Sequence, residues 1–237
     1  MTSSRKTATV VGLLFLTQTV AFIMAEQFIG GVLKAPDYVT DVAGHANALT
    51  IGALFAVISG VAVVGIGVLL FPLLKPTSEP LALGYVCERV VELVLQVVFF
   101  MVTPLLMITI GKGLRDGTLD AATSQSLAQL KSLHDVAIVV LYLVTSVGGT
   151  ILAVLLYRSR LVPRWLAVLG LIGYPILFVG CVLDMFDVTD VTQGAGIIAI
   201  VPGGLFELIL PIWLLAKGFS SPAQAPPSKG APQLANA

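Results

Sequence analysis

Charge is the scarcest commodity in this chain of 237 residues: Asp, Glu, Lys and Arg together make up 11% of it, against about 25% in an ordinary water-soluble domain. Histidine and cysteine are nearly absent, with two of each. The charge deficit argues against an ordinary soluble enzyme. The two cysteines, Cys87 and Cys181, both lie in apolar runs, so no disulfide framework and no C-x-x-C metal site is expected. Cys87 reads as a small packing residue rather than a nucleophile. The two histidines, His45 and His134, form neither H-x-x-x-H nor H-E-x-x-H. No G-x-S-x-G elbow and no phosphate-binding glycine loop is present. Basic and acidic residues balance at 13 each, so no excess of positive charge points to nucleic acid as a partner. No cofactor and no resident metal is expected.

What fills the chain instead is hydrocarbon. Hydrophobic residues make up 57% of it and the mean hydropathy is +1.00. A bilayer core of ~30 Å needs roughly 17–25 mostly apolar residues per helix. Six such runs occur, approximately Ala8–Gly31, Ala48–Leu74, Leu81–Gly111, His134–Tyr157, Trp165–Asp187 and Gly194–Lys217. They are continuous rather than alternating, so helices rather than barrel strands are expected. The fold class is all-α: a polytopic bundle of six transmembrane helices over residues 1–219. Arg5-Lys6 precede the first run in the manner of a signal peptide. That run is long for one and Ile23-Met24-Ala25 fits a cleavage site poorly, so it is expected to stay as a span.

Basic residues fix the expected orientation. With the N-terminus inside, Arg5, Lys6, Lys75, Arg158, Arg160, Arg164, Lys217 and Lys229 fall inside, eight against the four outside, Lys34, Lys112, Arg115 and Lys131. Both termini are therefore expected on the cytoplasmic side, with the lipid bilayer as the main partner. Tyr157, Trp165 and the neighbouring arginines read as an interfacial belt on that side. Residues 220–237 are rich in Pro, Ala and Ser and read as a disordered cytoplasmic tail. From Asp120, a residue suited to capping a helix, Leu127, Leu130 and Leu133 form a narrow stripe. It is either a short interfacial helix or an extension of the fourth span.

Ionisable groups within such runs carry the functional hypothesis, because they are costly in lipid and turn toward partners or water. In LALGYVCERVVELVLQVVFF, helical spacing puts Glu88, Glu92 and Gln96 on one face, with Tyr85 and Arg89 flanking it. Arg89 and Glu92 are expected to pair. Glu88 is left needing another partner or a proton, with Tyr85 and Gln96 as hydrogen-bonding neighbours. Glu207 belongs with this inner-to-middle group. It follows Pro202-Gly203-Gly204, where the sixth helix is expected to kink or break. Pro104 and Pro175 would add milder kinks. Glu26, His134, Asp135 and Asp184 form a second set toward the outer side. A metal there would need His134 with carboxylates such as Glu26 and Asp184.

Four segments, RKTATVVGLLFL, LALGYVCERVVELVL, LYRSRLVPRWLAVLGLIGY and LFELILPIWLLAKGF, together resemble a bacterial membrane-protein family catalogued as domain of unknown function 4386. The resemblance runs from about Arg5 to Phe219 and takes in Glu88, Arg89, Glu92, Arg158, Pro163, Arg164, Trp165 and Glu207. It implies a six-helix protein of the bacterial cytoplasmic membrane and no particular activity. Three readings stay open. The leading one is a non-enzymatic protein whose polar interior site binds, or helps move, a small molecule, lipid, proton or cation. The others are a membrane-embedded enzyme using carboxylates and His134, and an accessory or structural membrane component.

Overall fold

The computed structural model describes residues 3–35, 38–113 and 120–220; the expected tail therefore lies, but for Ser220, outside the described residues. The chain is all-α. Its helices are α1 (Ser3–Leu33), α2 (Tyr38–Asp41), α3 (Ala46–Leu74), α4 (Glu79–Leu95), α5 (Thr103–Gly113), α6 (Ala121–Ser159), α7 (Arg164–Met185) and α8 (Val201–Ala216). A π-helical stretch, Gln96–Val102, joins α4 to α5, and a 3-10 stretch, Gly194–Ala199, leads into α8. Six helices, counting each of these joined units once, are long and apolar enough to cross a membrane.

Departures from regularity have local causes. Pro104 has no N–H to give the carbonyl four residues back, and its ring crowds that carbonyl. The chain widens to π geometry just upstream, and the Thr103 hydroxyl donates to the Val98 carbonyl, 3.2 Å away. Pro202 falls in the first turn of α8, where a missing N–H costs nothing. It therefore opens the helix rather than kinking it, and the break lies at Ile200, where 3-10 geometry gives way to α. The Asp120 side chain caps α6 by accepting from the Thr123 amide at 2.8 Å. The Thr123 hydroxyl and amide hold the Asp120 carboxyl below the ordinary carboxylate range. No separate interfacial helix follows it: the Leu127–Leu133 stripe lies within the 39-residue α6, about 58 Å long at ~1.5 Å per residue.

The six long helices form a ring in chain order. Each packs mainly on the one before and the one after, and α8 closes on α1. Every seam of the ring is set by a glycine, as expected where backbones must approach closely without a hydrophobic driving force between helices. Gly12 abuts Leu215 and the Pro211 carbonyl, and Gly52 abuts Ile29 and Phe28. Gly60 lies on Leu93, Gly148 under the Glu88 carboxylate, Gly149 under the Tyr174 ring and Gly173 against the Gly203 backbone. The outer face is apolar, with Leu13, Val20, Val61, Val136, Val179 and Ile212 among its exposed residues, a continuous surface of the kind lipid covers. Cys87 lies on this exterior rather than in the packing, while Cys181 is buried.

Adding a methyl group at Gly149 drives it into the Tyr174 ring, whereas at Gly204 it meets nothing within 4 Å. Gly149→Ala is therefore expected to lower stability by about 1–3 kcal/mol, and Gly204→Ala to stay within about 1 kcal/mol of the parent. Unfolding in mixed micelles with rising denaturing detergent measures both. Equal stabilities would contradict this packing.

Candidate functional site

The third long helix supplies the densest charge. Glu88, Arg89 and Glu92 are all buried on α4, and the arginine serves both acids. Its Nη1 donates to Glu92 Oε2 at 2.8 Å, and its Nε lies 3.2 Å from Glu88 Oε2. Arg89 thus lies within ion-pair distance of both acids, although neither the Glu88 oxygens nor the Arg89 Nε are in hydrogen-bonding geometry among the described residues, so Glu88 keeps room for the further partner or proton expected from spacing. Gly148 of α6 leaves the space that the Glu88 carboxylate fills, and the stem of Arg89 lies over Gly67 of α3. Tyr85 does not hydrogen-bond: its hydroxyl is buried without a partner, and its ring faces the Arg89 guanidinium at 4.9 Å. Gln96 Oε1 is likewise buried and unpartnered.

Inside the ring lies a cavity of about 260 Å³ to whose wall all six long helices contribute. Of the stripe expected from the sequence, Glu92 and Gln96 face this cavity, together with Glu207. Tyr85, Glu88 and Arg89 stand behind it. Glu207 Oε1 accepts a hydrogen bond from the Tyr174 hydroxyl at 3.1 Å. The remaining wall is mostly apolar, with Phe22, Leu141, Leu177 and Ile200. Six polar wall residues escaped the sequence reading: Gln18, Thr19, Ser59, Tyr142, Thr145 and Tyr174. Each is an uncharged polar group in a mostly apolar run. The one available signal was the Gly148-Gly149 pair, which marks where two large side chains press onto α6.

The outer set gathers in a second cavity, of about 530 Å³, lined by Glu26, His134, Asp135 and Asp184. It lies toward the end of the bundle remote from the described termini, which meet where Arg5 Nη2 donates to the Leu215 carbonyl at 2.7 Å. His134 is buried, with Nε2 3.4 Å from Glu26 Oε1 and Nδ1 3.7 Å from Asp135 Oδ1. Neither ring nitrogen is in hydrogen-bonding geometry. Asp135 is exposed and pairs with Lys131 at 2.7 Å. Asp184 accepts from the Val191 amide at 2.6 Å and pins the loop before the sixth long helix. In that loop Asp190 gathers the Thr192 hydroxyl, the Thr192 amide and the Gln193 side chain. The Thr192 hydroxyl, as the main cause, holds the Asp190 carboxyl below the ordinary carboxylate range. Among the described residues, no group of three or more His, Cys, Asp and Glu side chains is arranged to hold a metal ion. The two cavities share one wall residue, Tyr142, whose ring meets Phe22 edge-on at a centroid distance of 6.3 Å.

These features define a helical bundle of membrane type with ionisable groups turned inward and hydrocarbon outward. Residues 10–218 match the family model described as Domain of unknown function (DUF4386), and the chain belongs to that family. No curated protein and no solved structure matches it.

Removing Arg89 would strand two buried carboxylates. Arg89→Gln is therefore expected to cost about 3–5 kcal/mol of stability. The triple replacement Glu88→Gln, Arg89→Gln, Glu92→Gln is expected to recover more than half of that loss. Detergent-denaturation midpoints compare them, and a single variant as stable as the parent would contradict the pairing.

Proposed function

We propose that the chain is a multi-pass protein of a bacterial cytoplasmic membrane, with both termini cytoplasmic, whose central cavity binds a positively charged group. The eight-to-four distribution of basic residues supports the orientation. One observation carries the ligand class. The single arginine Arg89 already serves two carboxyl groups, Glu88 and Glu92, and Glu207 brings a third to the cavity that Glu92 lines. Among the described residues, Glu207 faces the cavity with the Tyr174 hydroxyl as its one hydrogen-bond partner. A site short of positive charge in low dielectric is completed by a cation that brings its own hydrogen-bond donors. An organic amine has that chemistry, and its apolar part suits the Phe22, Leu141 and Leu177 walls.

Hexylammonium and hexanol are matched probes, alike in length and unlike in charge. With the protein in lipid nanodiscs, hexylammonium is expected to raise the unfolding temperature, by about 2.7 kcal/mol in stability at a hundredfold excess over its Kd. Hexanol is expected to do little. Glu207→Gln should weaken hexylammonium at least tenfold, about 1.4 kcal/mol. Equal effects of the two probes, or full affinity in Glu207→Gln, would discard the reading.

A second reading, movement of protons through the bundle, is favoured by the position of Tyr142 in the wall of both cavities. Truncation to Ala would join them. In liposomes loaded with a pH-sensitive dye, Tyr142→Ala is expected to speed proton entry severalfold over the parent, and adding Glu207→Gln to abolish the gain. Unchanged entry would dismiss this route.

A further inference from the structure

We propose that the central cavity takes its cation from the lipid side, as the amine-bearing head of a chain amphiphile whose tail leaves between α1 and α8. The proposal rests on the cation-binding reading above and names its substrate class. The cavity wall includes Ile23 of α1 and Leu208 of α8. Both are also residues of the outer surface, 52% and 45% exposed. A wall shared with the exterior is a mouth, and this one lies on the apolar, lipid-type face of the bundle.

The α1–α8 seam is tight on one side of that mouth and loose at it. Near the termini, Arg5 donates to the Leu215 carbonyl, and Gly12 lies against Leu215 and the Pro211 carbonyl. Farther along α8, Gly204 also lines the cavity, and a side chain added there would meet nothing within 4 Å. The neighbouring Gly203, by contrast, is pressed against Gly173 of α7. Open space thus remains at Gly204, while Gly203 beside it is packed.

Apolar and polar groups share this wall. Ile23 and Leu208 stand at the surface, Phe22 and Ile200 belong to the same wall, and the acids Glu92 and Glu207 with Gln96 supply the polar part. An amphiphile carries the same two kinds of group, an apolar chain for the exposed rim and a charged head for the acids. At about 260 Å³, the cavity falls below the roughly 300–1,000 Å³ that encloses a drug-sized ligand. It holds a head group and the first carbons, and the rest of the chain stays among the lipid tails.

The test uses the full chain in nanodiscs and dodecylammonium carrying a diazirine at its far end. Photolysis is expected to place adducts on lipid-facing residues of α1 and α8 near Ile23 and Leu208, and excess unlabelled dodecylammonium should remove them. Gly204→Leu, which fills the mouth, should cut this labelling at least tenfold. If that variant unfolds, Leu208→Trp supplies the same plug from the rim. Adducts confined to the Glu26–His134 end, or labelling at the seam that both plugs leave intact, would overturn lateral entry while hexylammonium still depended on Glu207. Loss of the Glu207 dependence for both amines would instead reject the underlying cation site.

Discussion

Arg89 is the constraint around which the interior is organised. A guanidinium and a carboxylate at 4 Å attract by about 4 kcal/mol where the effective dielectric constant is near 20, while burying each ion costs several kcal/mol. One arginine between two glutamates can offset that cost only if all three are held close, and the packing provides for this. Glu88 occupies the space left by Gly148, the Arg89 stem lies over Gly67, and the Tyr85 ring covers the guanidinium. The ion cluster therefore fixes α4 against both α3 and α6. Lengthening either glycine would push on a charge that has nowhere else to go.

Much of the architecture was legible in the residues, because a run of some twenty apolar side chains has few fates. Helix number and the inward turn of the acids follow from that alone. Spacing on α4 placed Glu88, Glu92 and Gln96 on one face, but helical periodicity says nothing about rotation relative to neighbours. Hence Glu92 and Gln96 reach the cavity while Glu88 points into α6. Glu207 was visible as a lone acid after a Pro-Gly-Gly break, although Pro202 turned out to start its helix. Gln18, Thr19, Ser59, Tyr142, Thr145 and Tyr174 gave no warning, since a hydroxyl or amide in a long apolar helix is ordinary. Their meaning comes from the ring, which places residues far apart in the chain on one wall.

The two cavities differ in kind. The remote one is lined by Lys34, Lys131 and Asp190 as well as the expected acids and His134, and it adjoins the loop that Asp184 pins. The central one is mostly apolar and carries its acids on α4 and α8. Tyr142 stands in the wall of both, with Phe22 of the central cavity packed edge-on against it, so a polar chamber walled by four acids and two lysines meets an oily one at an aromatic ring.

The cyclic order of the helices also has a bearing on assembly. Five of the six seams join helices that follow one another in the chain, and each can form as soon as its second member enters the bilayer. The seam between α1 and α8 alone must wait for the last helix. Until then the bundle is an open horseshoe, lacking Glu207, with its arginine cluster already complete on α4. Synthesis thus builds the charged cluster first and the cavity that Glu207 lines last, and the final joint to close is the one between the first and the last long helix.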